Sequence, residues 1–281
     1  MSTPHLLVAG HIMMDVIVRP ESAIAPTSDT PSEVSISRGG AGANIARSAH
    51  AAGITATFVG AIGDDLIGKL VASQFDFPVQ FQPSPQPTGS LVALVHADGQ
   101  RAMLTQAGAN DDLSADFLTQ ALDTHQPDWF HLSGYVILSP ATRAAGRAAI
   151  AHARQLGIPV STDACSVGPL MTMGPKNFID AINGITLLCS NAEEFDVLAS
   201  HLGGTDLDLL TTLGAAGARF SHHGDRWEVP AVATQVVDTT GAGDAATGAF
   251  LASRLLNPDP ELALRAAMRQ AAEVISRLGA H

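Results

Sequence analysis

The sequence predicts an α/β protein: a doubly wound, mainly parallel sheet with helices on both faces (three-layer αβα) and a small separate β-sheet. Three observations predict this fold class. Short, continuously apolar strand candidates such as Leu6-Leu7-Val8-Ala9-Gly10 suit a sheet covered on both faces. From Asp111 onward such strands alternate with helical segments, the pattern of a parallel sheet wound by right-handed crossovers. Two other stretches, around Val34 and around Asp98-Gly99, carry period-two or hairpin signals. Neither joins easily a parallel sheet with helices between its strands, so together they predict the small sheet. Residues 1–281 are assigned to one unit, with the small sheet built from two excursions, approximately 13–38 and 86–107.

Composition bounds the function. At 281 residues, 46% hydrophobic and 15% charged, the chain can bury a large core. The formal charge of −12 argues against nucleic-acid and anionic-membrane partners, which need clustered Lys and Arg. A phosphate ligand would then be held by backbone amides, a few local cations and a metal. Residues 1–4 lack a basic start, and no stretch reaches the roughly 18 apolar residues of a membrane span. A cytoplasmic protein is expected. Cys165 and Cys189 read as small core residues of a reducing compartment. His222-His223 beside Gly224-Asp225 reads as an exposed hairpin end rather than a zinc site.

Asp15 follows the first strand closely, and open α/β sheets bind ligands at the C-terminal ends of their strands. As an isolated residue it is equally well a solvated turn carboxylate. Residues 19–31 contain Pro20, Pro26 and Pro31 and form a loop, after which 33–38 is a short, half-exposed strand. Gly39-Gly40-Ala41-Gly42-Ala43-Asn44 runs directly into a helix at 45–52, capped by Gly53. Close helix packing explains the small residues but not Asn44, whose amide can both donate and accept. Residues 55–61 form a strand, and an amphipathic helix ends at Phe75. Pro83 to Pro87 opens the second excursion, in which 91–97 and 100–106 flank the Asp98-Gly99 turn. Arg101 is either a ligand-facing cation or an exposed strand charge.

Helices are expected at 112–122, 142–156 and 176–183, and strands at 129–133, 158–163 and 185–190. Asn191-Ala192-Glu193-Glu194 then has the spacing of a capping box. It has equally the spacing of a hard-metal site, with Glu194 reaching Mg²⁺ through water and Asn191 near phosphates. Thr212-Leu213-Gly214-Ala215-Ala216-Gly217 turns at another strand end, followed by a hairpin at Gly224-Asp225 and helices at 244–256 and 261–278.

The most informative stretch is Val236-Val237-Asp238-Thr239-Thr240-Gly241-Ala242-Gly243-Asp244. A glycine-bracketed turn at a helix start leaves amides unpaired near the positive end of the dipole, a place that binds phosphate. Asp244 would repel that phosphate unless it does chemistry, and a general base for a hydroxyl attacking the γ-phosphate would justify its position. An ordinary first-turn aspartate is the plainer alternative. A dinucleotide fingerprint also fits Gly241-x-Gly243-x-x-Ala246, but Glu261 follows Pro258-Asp259-Pro260 and opens a helix, whereas the ribose-binding acid closes a strand.

These motifs, in this order, resemble the ribokinase (PfkB) family of carbohydrate kinases over nearly the whole chain. The resemblance implies a ribokinase-like fold whose small sheet is a lid over the sugar. It implies ATP and Mg²⁺ as cofactors, with K⁺ a further candidate near Asp238–Thr240. Asp244 would be the base, and Gly241, Ala242 and Gly243 the anion hole. Asn191 would serve the phosphates, with Thr212, Gly214 and Gly217 in the ATP site and Glu194 at the metal. Asp15, Gly39, Gly40, Asn44 and Arg101 would bind the sugar. Ala41 stands where relatives often carry Lys, which points to an unphosphorylated sugar or sugar acid. About twenty residues separate Asn191 from Thr212, so a helix usual there is expected to be missing; relatives also continue beyond His281. A nucleoside kinase, clamping its base with Phe75, Phe77 and Phe81, is the alternative within the class. A sugar- or nucleotide-sensing relative without activity is the alternative outside it. A homodimer through the lid is expected from its free edges and apolar residues.

Overall fold

The computed structural model describes residues 3–95 and 101–277. The first strands are β1 (His5–Ala9), β2 (Met13–Pro20), β3 (Ser32–Gly39), β4 (Thr55–Gly63) and β5 (Val79–Ser84). β6 (Ser90–Val95), β7 (Arg101–Gln106), β8 (Trp129–Leu132) and β9 (Val160–Asp163) follow. The last are β10 (Leu187–Asn191), β11 (Asp208–Thr212), β12 (Ala218–His222) and β13 (Asp225–Val229). The helices are α1 (Ala41–Ala51), α2 (Leu66–Ala72), α3 (Ala115–His125), α4 (Gly134–Leu138) and α5 (Arg143–Gln155). After them come α6 (Val167–Met173), α7 (Pro175–Ala181), α8 (Ala192–Leu198), α9 (Ala242–Leu256) and α10 (Pro260–Ile275).

The large sheet has the order β13-β12-β11-β10-β9-β8-β1-β4-β5, parallel from β11 to β5, with β12 and β13 antiparallel. The winding reverses at β1, which lies between β4 and β8, so the crevice above β1 and β8 is a natural ligand site. Alternate strand residues enter two different cores, as a sheet covered on both faces requires. Leu6, Val8, Phe58 and Leu187 pack with α1, α9 and α10. Leu7, Ala9, Val59 and Leu188 pack on the other side with α3, α5 and α7. Gly248 lets α9 lie directly on α1: a Cβ there would strike the Ile45 carbonyl and come within 2.7 Å of Ser48 Cβ.

The small sheet has the order β3-β2-β6-β7. Its two strand pairs come from the two stretches the sequence singled out, joined by parallel pairing of β2 with β6. Its connections to the large sheet are clamped by side chains. Asp65 caps α2 through Gly68 N (2.6 Å) and also accepts from Thr88 N and Oγ1, both at 2.8 Å, just before β6. Buried Asn110 accepts from Ile12 N and donates to the Ile12 and Ala107 carbonyls, each at 2.9 Å.

Several elements differ from expectation. Asp15 lies on β2 in the small sheet, not at the end of β1, because the chain crosses over immediately after Gly10. The helix after the glycine cluster starts at Ala41, since Gly40 at φ 101° makes the turn by itself. The run ending at Asp238 forms no strand; Val237 N and Asp238 N bond instead to the Ile275 carbonyl. β5, α4 and α6 were not foreseen: β5 carries Pro83, and α4 and α6 are too short to show periodicity. Between Asn191 and Thr212 the chain forms α8 and one 3₁₀ turn at Ala199–His201. No helix among the described residues is long and apolar enough to cross a membrane.

Candidate active site

Several candidate residues meet at the C-terminal ends of β9, β10 and β11, beside the start of α9. Asp244 lies in the first turn of α9, whose N-cap Gly241 is left-handed (φ 76°). Nothing occupies the space a Cβ of Gly243 would fill, so the helix start is open to a ligand. Asn44, from the first turns of α1, donates Nδ2 to Asp244 Oδ2 at 2.9 Å, and its own Oδ1 is buried without a partner. The contact of α1 with α9 therefore places the two side chains together, 200 positions apart in sequence.

Asp244 faces a cavity of about 220 Å³ that also takes in Asp163, Cys165, Asn191, Glu194 and Thr212. Burial pushes the Asp244 carboxyl up to about 7; Asn44 opposes this, while the charges of Asp163, Glu194 and Asp15 add to it. Such a carboxylate is poised to exchange a proton near neutral pH.

Asn191 and Glu194 form the capping box in full. Asn191 Oδ1 accepts from Glu194 N (2.9 Å), and the Glu194 carboxylate accepts from Asn191 N (2.9 Å) and Nδ2 (2.7 Å). The capping-box reading is therefore observed, and the box also fixes Glu194 on the cavity wall. Burial raises the Glu194 pKa, and the nearby charges of Asp163 and Glu193 add to the rise.

Asp163 is the residue that the sequence reading missed. It ends β9 beside Asp244 and Glu194, accepting from Gly134 N (2.8 Å) and the Cys165 thiol (2.9 Å), with His131 Nε2 at 3.4 Å behind it. Burial pushes its carboxyl up, but His131 and these donors outweigh that and hold it below the usual range. An acid closing a strand at a sheet C-terminus was the available signal. Both cysteines line the cavity: Cys189 is buried in β10 as expected, while Cys165 is only partly buried, packing against the core in a left-handed conformation (φ 66°).

The cavity thus carries three carboxylates, and no Lys or Arg lines it. Three carboxylates repel an anion, so the donor set would suit a hard divalent cation such as Mg²⁺ accompanying any phosphate. Among the described residues no three His, Cys, Asp or Glu side chains are grouped to hold a metal by themselves. Asp238 is buried and its Oδ1 accepts from Thr240 N (2.9 Å) and Oγ1 (2.7 Å), shaping the turn before Gly241. Thr212 lines the cavity, but Gly214 and Gly217 belong to the turn beyond it. Gly217 is fixed by the fold, since a Cβ there would strike the Val229 carbonyl, while Gly214 faces open space.

Asp15 lies against Gly39, where only a residue without a side chain fits. Its Oδ1 is buried and unpartnered; burial raises its pKa to about 6, opposed by the Arg38 charge. Arg38, also unforeseen, is buried with its guanidinium 4.4 Å from the Phe75 ring centre. Phe75, Phe77 and Phe81 pack against one another and the core, so they are not the base clamp considered from sequence. Gly40 makes the turn into α1 against the His11 backbone. The side chain of Arg101 and the Asp98-Gly99 turn lie outside the described residues. His222 and His223 sit at the β12–β13 hairpin end paired with Asp208 and Asp206, away from the crevice.

Comparison with known proteins shows the family and the fold. The sequence pattern of the pfkB family carbohydrate kinases matches residues 3–281. The bifunctional protein HldE of Bradyrhizobium diazoefficiens is 31% identical over 98% of the chain, which spans only 60% of that protein. The ATP-dependent ribose-1-phosphate kinase of Halopiger xanaduensis is 28% identical over 98% of the chain and 93% of its own length. The crystal structure of adenosine kinase from Sinorhizobium meliloti superimposes with a TM-score of 0.86 at 22% identity, covering 100% of this chain and 96% of that one.

Proposed function

Because the chain belongs to the pfkB family of carbohydrate kinases and has its ribokinase-like fold, we propose that it transfers the γ-phosphoryl group of ATP to a hydroxyl of an uncharged, unphosphorylated sugar unit. The observation that carries this reading is the Asp244 carboxylate, held by Asn44 at the open start of α9 with its pKa raised to about 7.

In this reading Asn44 orients Asp244, which takes the proton of the attacking hydroxyl as the oxygen–phosphorus bond forms. The amides of Gly241, Ala242 and Gly243 receive the charge developing on the transferred group. Asp15, Gly39, Gly40 and Asn44 hold the sugar, with Arg101 a candidate from the lid strand. Thr212 borders the nucleotide, and the turn carrying Gly214 and Gly217 lies on its adenine side. Mg²⁺ would neutralise phosphate charge; Glu194, with Asp163 beside it, would hold it through water, and Asn191 would meet the phosphates. K⁺ at the Asp238–Thr240 loop would steady the turn into α9.

The relative from Halopiger is named for a phosphorylated sugar. Among the described residues no Lys or Arg lines the cavity at Asp244 or the cavity under the small sheet, which supports an unphosphorylated acceptor over a sugar phosphate. The small sheet would act as the lid. Its face away from Asp15 exposes Val34 (56%), Ile36 (62%) and Leu104 (58%), and a second copy covering that face would form a homodimer.

Asp244→Asn tests the assignment. It should lower turnover by about 10²–10⁴, the usual worth of a general base, while ATP binding measured by calorimetry stays near wild type. Near-wild-type ADP release by the variant would refute the role.

A further inference from the structure

A second cavity, between α1, the start of α9 and the end of α10, takes no part in the reaction described so far. It shares Gly241 with the cavity at Asp244 and has Asn44 in its wall. Its volume is about 150 Å³, the liquid volume of about five waters, so a molecule of a few non-hydrogen atoms fits and a nucleotide does not. α1 presents Asn44 and Arg47, one turn apart, while α10 and the turn after it present Gln270, Glu273 and Arg277.

The charges here run against the rest of the chain, whose formal charge is −12. Arg277 is paired with Glu273 at 3.1 Å, but Arg47 has no ion pair or hydrogen bond among the described residues. The lining therefore carries one uncompensated positive charge. Burial and then the charge of Arg47 lower the Arg38 pKa, opposed by Asp76 and Asp15, so a second guanidinium is near enough to be repelled. One net charge matches a monoanion, and a carboxylate meets a guanidinium through two parallel hydrogen bonds. A dianion such as sulfate would face Glu273 without a second free cation to balance it. The uncharged groups narrow the choice further. Asn44 is nine-tenths buried and its Oδ1 lacks a partner, an acceptor that a simple carboxylate cannot satisfy and a hydroxyl can. Oδ1 has two lone pairs, so a donor from this side leaves one for the acceptor sugar.

We propose that this cavity binds a small hydroxycarboxylate monoanion, its carboxylate on Arg47 and its hydroxyl on Asn44 Oδ1, and that the bound molecule raises turnover by bracing the α1–α9 contact that seats Asn44 on Asp244. The effect on turnover rests on the phosphotransferase reading above; the binding does not.

Calorimetry on the intact protein compares both hands of lactate with propionate, which lacks only the hydroxyl, and with sulfate and phosphate. One hand of lactate should bind saturably with a Kd of about 1 mM or tighter, at least about tenfold better than the other three anions. Arg47→Gln should weaken it about ten- to a hundredfold, the usual worth of a charge-assisted hydrogen bond. Ala51→Leu, which puts a side chain into the cavity from an exposed turn of α1, should abolish it, with thermal unfolding showing both variants folded. Saturating lactate should raise ADP release with ribose, fructose or adenosine at least about twofold in wild type and not in Arg47→Gln, whose basal rate stays unchanged. No binding of lactate, equal binding of propionate, or tighter binding of sulfate or phosphate overturns the proposal. So does binding that survives in both folded variants, or ADP released with lactate alone, which would make it an acceptor. Binding without a change in turnover overturns the coupling to Asp244. Absence of ADP with every acceptor removes the phosphotransferase reading, and the calorimetry still decides the site.

Discussion

Replacing Asn44 by alanine takes away the side-chain amide that donates to Asp244 at 2.9 Å. A hydrogen bond to a charged group contributes roughly 1.5–3 kcal/mol, and one pKa unit corresponds to about 1.4 kcal/mol. Asn44 stabilises the ionised form of Asp244, so its loss should raise the carboxyl from about 7 by about 1–2 units. A general base works only when ionised, so activity falls as pH drops through the pKa. The acid limb of the kcat/KM profile should therefore move from about pH 7 in the wild type to about pH 8–9 in the variant. At pH 7 the ionised fraction alone drops from about one half to about 1–10%. Lost acceptor contacts lower the whole profile uniformly and leave the position of the limb unchanged, so the two effects separate. The assay is coupled ADP release from pH 5.5 to about 10 at constant ionic strength. A limb that stays in place, or moves to lower pH, would refute the claim that Asn44 tunes the base.

Asp244 holds its proton more tightly in the native state than in the unfolded chain, so its contribution to stability is present at low pH and lost as pH rises through about 7. Asp244→Asn should therefore unfold at higher temperature than wild type at pH 8, by at most about 4 kcal/mol of stability, with the gap closing towards pH 4–5. Scanning calorimetry at the two pH values decides it. Gly248→Val drives a side chain into the Ile45 carbonyl and should cost about 1–3 kcal/mol in urea unfolding, with Asn44 displaced from Asp244 and turnover reduced. Ile36→Arg puts a charge on the exposed apolar face of the small sheet; sedimentation should show the wild type as a dimer and the variant as a monomer.

The large sheet was legible because buried strands and amphipathic helices differ in period, and neither depends on distant residues. The small sheet was legible from turn chemistry and alternation, although β2 was not, since Asp15 read as following the C-terminal end of the first strand. Asp244, Asn44 and Glu194 were legible because glycines or capping spacing marked their positions. Arg38, His11 and Tyr135 were not, because what distinguishes them is burial and partners from other elements, and Asp163 carried only the signal of an acid closing a strand. Cys165 shows the same limit: Asp163 is only two residues away, but nothing in the sequence says that the local backbone turns the thiol onto its carboxylate.

The seating of α9 on α1 through Gly248 makes one rigid block of the residues that would move the proton. Side chains that would choose the acceptor (Asp15 and those lining the cavity under the small sheet) stand on other strands and on the crossing between the sheets. Exchanging the small sheet for one of different lining would then alter what is phosphorylated without rebuilding the step itself. In this reading only Asn44, which touches Asp244, would belong to both parts.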